Sequence, residues 1–220
     1  MVTFKNLLRL MRKKNYVIYD KPYQLNIVGV RNAESQPNKF DDSIFVFFKD
    51  DKNDWVSYEY PATTDTGKFY LLNPMSNLGA AMLKEGQYVN AYAQGIHYTY
   101  LALVQVKPVT TYRDYDRDAI FDIFTTETTG EYGINIHKAG ANSQDVDTWS
   151  AGCQVFQKSA DFAEFMKMTD KHRNLYGNSF TYTLIDERAV VRRKRRIVLF
   201  ISLGLSLIGG GVLLFKRLRK

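Results

Sequence analysis

From Ile197 to Phe215 the chain runs nineteen residues without a charge, with Arg192-Arg193-Lys194-Arg195-Arg196 before the run and Lys216, Arg217, Arg219 and Lys220 after it. A helix rises 1.5 Å per residue, so this run reaches about 28 Å, enough to cross a hydrocarbon core of about 30 Å. Globular cores rarely place nine cations around one helix. The run is therefore expected to be a single transmembrane helix inside a basic-flanked anchor, residues 191–220. Ser202, Ser206 and Gly210 recur every four residues on one face, which would allow close helix packing and a homodimer. Both flanks are basic, so charge does not decide which side of the membrane the rest of the chain occupies. Residues 1–14 lack the continuous apolar stretch and small-residue cleavage site of a secretory signal. Everything else must fold as a separate domain.

That domain has its own charge. The formal net charge of +7 places nine cations around the apolar run and five more in residues 1–14; residues 15–191 keep sixteen Lys and Arg against all 23 Asp and Glu, a net of −7. Nucleic-acid binding is not expected of an acidic domain, and the basic ends are read as contacts with anionic lipid. Residues 1–15 form an expected basic amphipathic helix with Phe4, Leu7, Leu8 and Met11 at helical spacing. Its apolar face suits a membrane surface or the domain itself.

Residues 16–190 read as one mainly β, α+β domain. Fourteen per cent of the chain is aromatic, and short apolar runs alternate with turn signals. Strands are expected at 17–19, 25–30, 44–48, 55–60, 68–72, 98–106, 109–112, 132–137 and 179–185. Asp50-Asp51-Lys52-Asn53-Asp54 makes a hairpin turn, and 78–83 reads as a helical turn. Ser159 is expected to cap a helix running to about Lys171 with Phe162, Phe165, Met166 and Met168 inward.

The chemistry concentrates at one cysteine. Cys153 sits in Trp149-Ser150-Ala151-Gly152-Cys153-Gln154, sixteen residues after His137, which closes Gly133-Ile134-Asn135-Ile136-His137. A free thiol has a pKa of about 8.5 and needs a base to act as a nucleophile near neutral pH. A lone cysteine is ordinarily an inert core residue, but one abutting a glycine turn is not placed to fill a core. Cys153 would attack a carbonyl to give a thioacyl intermediate and His137 would move the proton. Gly152 lets the backbone turn closely. Ser150 would steady that turn or bind substrate. Asp145 and Asp147 are side-chain candidates to orient the imidazole. His97, Trp149 and Gly67 are candidates to line the substrate cleft, His97 alternatively being an exposed strand-end residue, and His172 is read as a helix-end cation. One cysteine and three scattered histidines give no metal-ligand spacing, so neither metal nor cofactor is expected.

The order histidine then cysteine excludes papain-like and related hydrolases. The segment Gly133–Gln154 resembles the catalytic motif of L,D-transpeptidases, a histidine followed after a loop by Ser/Thr-His-Gly-Cys. Tyr60-Pro61-Ala62-Thr63-Thr64-Asp65-Thr66-Gly67-Lys68-Phe69 is similar to a second segment of that family, roughly Thr-Pro-x-Gly-x-Phe. Together the resemblance covers about residues 55–185. It implies a mixed β-sandwich with a helix after the cysteine loop, and an oxyanion hole from backbone N–H groups at Ala151, Gly152 and Cys153. It also implies an imidazole oriented by the Lys138 carbonyl, and peptidoglycan peptide stems as substrate. The chain departs from the family at Ala151 and Val155, where substrate-holding side chains are usual. The expected activity is a membrane-anchored acyl transfer or peptide hydrolysis. The alternatives are a phage-type wall-degrading peptidase delivered at entry or lysis, and a catalytically silent wall-binding or scaffold protein.

Overall fold

The computed structural model describes residues 2–120, 122, 125–141 and 143–188. The expected anchor, with Ser202, Ser206 and Gly210, lies outside the described residues; among those described, no helix is long and apolar enough to cross a membrane.

The domain is mainly β with a few helices, as expected. Eight strands, β1 (Asn26–Arg31), β2 (Asp42–Lys49), β3 (Trp55–Thr63), β5 (Gly86–His97), β6 (Tyr100–Gln105), β9 (Ile136–Lys138), β10 (Gln154–Phe156) and β11 (Phe180–Asp186), close into a barrel in the order β1-β11-β5-β6-β9-β10-β3-β2. β4 (Ala80–Leu83), β7 (Val109–Asp114) and β8 (Glu127–Gly130) form a separate three-stranded sheet. The strands thus close on themselves where two stacked layers of a sandwich were expected. The short β9 and β10 bring this about: they pair parallel with each other, β9 reaches β6, and β10 reaches β3, so no edge is left between the two arcs.

The alternation of side chains along β1, β2 and β11 divides two cores. Ile27, Ile44, Val46, Phe48 and Leu184 face the barrel interior, whereas Val28, Val30, Phe45, Phe47 and Ile185 face outward. The outward set is covered by helix α1 (Phe4–Lys13) through Leu7, Leu8 and Met11. Each such side chain contributes roughly 1.5–3 kcal/mol on burial. Thus the apolar face of α1 packs on the barrel and is not available to lie on a membrane; only the basic face remains outside.

Helix α3 (Ser159–Tyr176) stacks Phe162 and Phe165 on Phe156 of β10, the Phe156–Phe165 ring centroids 4.9 Å apart. Ser159 is its first helical residue, with Lys158 in the cap position and no side-chain cap bond, so the expected serine cap does not form. His172 is not a helix-end cation. It is buried, its Nδ1 accepts from the Leu25 amide at 2.9 Å and its Nε2 donates to the Ser179 carbonyl at 3.2 Å, while burial lowers its pKa.

Other departures have local causes. Residues 17–19 are not a strand, because the amides of Val17 and Tyr19 are satisfied by side chains, Gln87 Oε1 and Asn26 Oδ1, each at 2.8 Å. Lys68–Leu72 is a short helix, α2, and the expected helical turn at 78–83 contains β4. The twelve-residue β5 escapes the alternation rule because Asn90 takes a positive φ of 52° and its register with β11 shifts between Phe180 and Tyr182. The hairpin at 50–54 forms as expected, with Asp50 Oδ1 accepting from the amides of Lys52 and Asp54.

Candidate active site

Parallel pairing of β9 with β10 sets Gln154 opposite Ile136 and Val155 opposite His137. Strand alternation then puts Cys153, Asn135 and His137 on one side of the pair. All three border a cleft of about 820 Å³ whose wall also includes His97, Tyr98, Tyr100, Arg113, Tyr132, Trp149 and Ala151.

The thiol is held by backbone. Cys153 Sγ accepts from the Asn135 amide and donates to the Gly133 carbonyl, both at 3.4 Å. Gln105 fixes that segment: its Oε1 accepts from the amides of Tyr132 (3.1 Å) and Ile134 (2.9 Å). Burial pushes the thiol pKa up to about 11, against a smaller lowering by the Asn135 amide.

His137 lies deeper. Its Nδ1 donates to the Lys138 carbonyl at 3.0 Å, and the Tyr100 hydroxyl stands 3.4 Å from both atoms. Because a carbonyl only accepts, this bond fixes the proton on Nδ1 and leaves Nε2 with its lone pair. Of the three candidate orienters, only Lys138 makes this contact. Asp145 pairs with Lys39 at 2.6 Å, and Asp147 is bound through both backbone and side chain to Asn38, so neither carboxylate orients the ring. Their loop is drawn to residues 38–39, away from β9. His97 stacks on His137 with ring centroids 4.2 Å apart, and its Nδ1 lies 3.0 Å from Asn135 Nδ2. It is a cleft residue and not a free strand end. Burial, then the proximity of His97, lowers the pKa of His137 to about 4, with the Lys138 bond acting the other way.

At rest the cleft accordingly holds a neutral thiol and a neutral imidazole. A linkage consequence follows. His137 has a folded pKa near 4 and an unfolded value near 6.5, so its contribution is fully present above about pH 6.5 and lost as pH falls through about 4. At about 1.4 kcal/mol per unit this amounts to about 3 kcal/mol. Denaturant unfolding at pH 7.5, 5.5 and 4.5 should show that loss, and His137→Gln should show a shallower one; identical slopes would remove His137 as the cause.

The turn before the cysteine is built by Ser150 and Gly152. Ser150 is fully buried; its Oγ lies 2.8 Å from the Asp65 carbonyl and 2.9 Å from the Cys153 carbonyl, and accepts from the Gly152 amide at 3.2 Å. It is a positioning residue with no face toward substrate. Gly152 has φ of +119°, and a Cβ there would come 2.6 Å from the Ala81 carbonyl oxygen. Its amide is committed to Ser150, so of the three amides expected to form an oxyanion hole only those of Ala151 and Cys153 have no partner among the described residues. Gly67 does not border the cleft. It packs against Asp147, whose carbonyl a Cβ would strike, and donates its amide to the Ser150 carbonyl at 2.8 Å. Trp149, 42% exposed, does border it.

A buried ion network braces this turn from behind. Arg31, with no exposed surface, sits 2.6 Å from Asp65 and 3.2 Å from Asp186, and its Nη2 donates to the Thr64 carbonyl at 2.6 Å. Asp42 accepts from both the amide and the hydroxyl of Thr64 at 2.8 Å. Thr64 and Asp65 thereby hold the segment on which Ser150 rests.

Tyr100, Asn135 and Arg113 were not anticipated. Asn135 had a signal, since it stands two residues before His137 and shares its strand face. Arg113 had none; its guanidinium carbon lies 4.4 Å above the Tyr132 ring and its Nε donates to Thr128 at 2.9 Å. Compared with protein-family models, curated proteins and solved structures, the chain finds no match.

Proposed function

We propose that this chain is a membrane-anchored, cysteine-dependent acyltransferase or peptidase of L,D-transpeptidase-like mechanism, acting on peptidoglycan peptide stems. The single observation that carries the reading is the placement of Cys153, immediately before β10, and His137, on the parallel β9, at one cleft, with Nδ1 of the imidazole fixed by the Lys138 carbonyl. Cys153 Sγ attacks a stem-peptide carbonyl while its proton passes to His137 Nε2. The amides of Ala151 and Cys153 receive the developing oxyanion, an interaction worth about 3–4 kcal/mol per donor in related chemistry. As the C–N bond breaks, His137 returns the proton to the departing amine. An incoming amine or water then attacks the thioester, His137 takes its proton, and the thiol is regenerated. Arg113 in the cleft wall offers a cation for a carboxylate of the stem.

The raised thiol pKa bears on the mechanism. A thiol near 11 gives little thiolate at neutral pH, so proton transfer must accompany attack. That same protonated resting state, together with Ala151, is what favours the rival reading of a catalytically silent wall-binding protein. Incubation with a carbapenem separates the two. The expected result is a mass increase of one intact carbapenem per chain on the Cys153 peptide, absent from Cys153→Ala. No adduct after prolonged exposure, on protein whose fold is intact, would favour the silent protein.

A further inference from the structure

β7 leaves its sheet at Asp114 and the chain continues Tyr115-Asp116-Arg117-Asp118-Ala119-Ile120, with Asp122 following. Carboxylate oxygens of Asp114, Asp116 and Asp122 lie within 4.8 Å of one another. Oxygens no further apart than this can all touch one cation at about 2.4 Å, the calcium–oxygen distance. Asp114 and Asp116 stand at the alternate spacing with which ligand loops present carboxylates to a hard cation, and Asp122 joins them from further along the chain.

Spacing alone would be a solvated acidic loop. Asp114 differs: it is only 4% exposed, and its Oδ2 is buried with no hydrogen-bond partner among the described residues. A buried carboxylate oxygen without a donor is costly. Nor does a cation of the protein answer it. Arg113 is turned to Thr128 and Tyr132, and no ion pair reaches Asp114, Asp116, Asp118 or Asp122 among the described residues.

We propose that Asp114, Asp116 and Asp122 bind one hard divalent cation of the calcium class. The site bears on the cleft. Asp114 pairs with Ala80 and Arg113 with Ala81, and Gly79 packs so closely on Asp114 that no Cβ fits. Gly79, Ala80, Ala81 and Arg113 all border the cleft, and the Ala81 carbonyl is what Gly152 packs against. Occupancy therefore fixes the part of the wall on which Gly152 packs. This assignment stands independently of the catalytic reading.

Calcium titration of the full chain in neutral detergent tests it, by calorimetry and by terbium luminescence sensitised through Tyr115. One calcium per chain is expected to bind, with Kd on the order of 10⁻⁴ M, more tightly than magnesium. Asp116→Asn and Asp122→Asn, both at exposed positions, should each weaken it about tenfold or more with an unchanged circular dichroism spectrum. The proposal is overturned if no saturable binding appears up to about 10 mM calcium, if magnesium binds as tightly, or if both variants keep the wild-type affinity.

Discussion

Cys153→Ala is expected to abolish turnover of muropeptides, lowering kcat/KM by on the order of 10⁴-fold or more, while leaving the fold standing. The loss is large because Cys153 supplies the attacking atom and the chain contains no second cysteine to replace it. Stability should move by no more than about 1 kcal/mol, since the side chain removed is small, partly exposed and held only by two long contacts to backbone. The pairing of these two results is the test. Activity retained in folded Cys153→Ala would sink the enzymatic reading. Inactivity with a collapsed Tm would show only that the thiol matters to the fold. His137→Gln should depress turnover comparably, and the wild-type pH profile should show its acidic limb near 4, below the ordinary histidine range, because the native imidazole titrates near 4.

Arg31→Met should be the most damaging change away from the cleft. Burial opposes the charge of Arg31, but Asp65, Asp186 and Asp42 outweigh it and raise its pKa, so it is a buried, permanently charged group answering three carboxylates. Removing it leaves those carboxylates facing one another with, among the described residues, only Arg188 paired to them, 3.1 Å from Asp186 and 3.6 Å from Asp65. Breaking a buried pair from one side costs about 3–5 kcal/mol. For a domain of this size that corresponds to a fall in Tm on the order of 10 °C. Thr64 and Asp65 would also lose their anchor, so carbapenem acylation should slow even where the variant remains folded. An unchanged Tm would mean that the network contributes nothing net.

How far these features could be read beforehand depends on how local their cause is. The Cys153 turn was legible because a glycine, a serine and the only thiol fall within four residues, and the hairpin at 50–54 because its aspartates satisfy their own turn. Closure of the barrel was not legible. It rests on two three-residue strands whose parallel partner is set by the whole fold rather than by any pattern within them. Arg31 and Asp65 stand 34 positions apart and meet only after β1 and β3 are in place. Ser150 was legible as a turn residue, but its complete burial, which removes it from substrate, follows from the packing of residues 63–67 behind it. Metal expectations drawn from cysteine and histidine spacing pass over Asp114, whose signal lay in alternating carboxylates.

The end of β11 sets a reach. That strand lies inside the barrel between β1 and β5, and its last residue, Asp186, is tied to Arg31 and Arg188. Ile197, where the apolar run of the proposed anchor begins, is eleven residues further on. Fully extended, such a leash spans at most about 40 Å. With residues 197–215 in a bilayer, Asp186 could stand at most that far from the lipid, so the cleft could work only on material within roughly the leash plus one domain diameter. Tension along the leash would be delivered to the Asp186–Arg31 pair, the same pair that braces the cysteine turn. Lengthening the leash with a flexible insert after Arg188 would then change which substrates are within range, without altering the chemistry at Cys153.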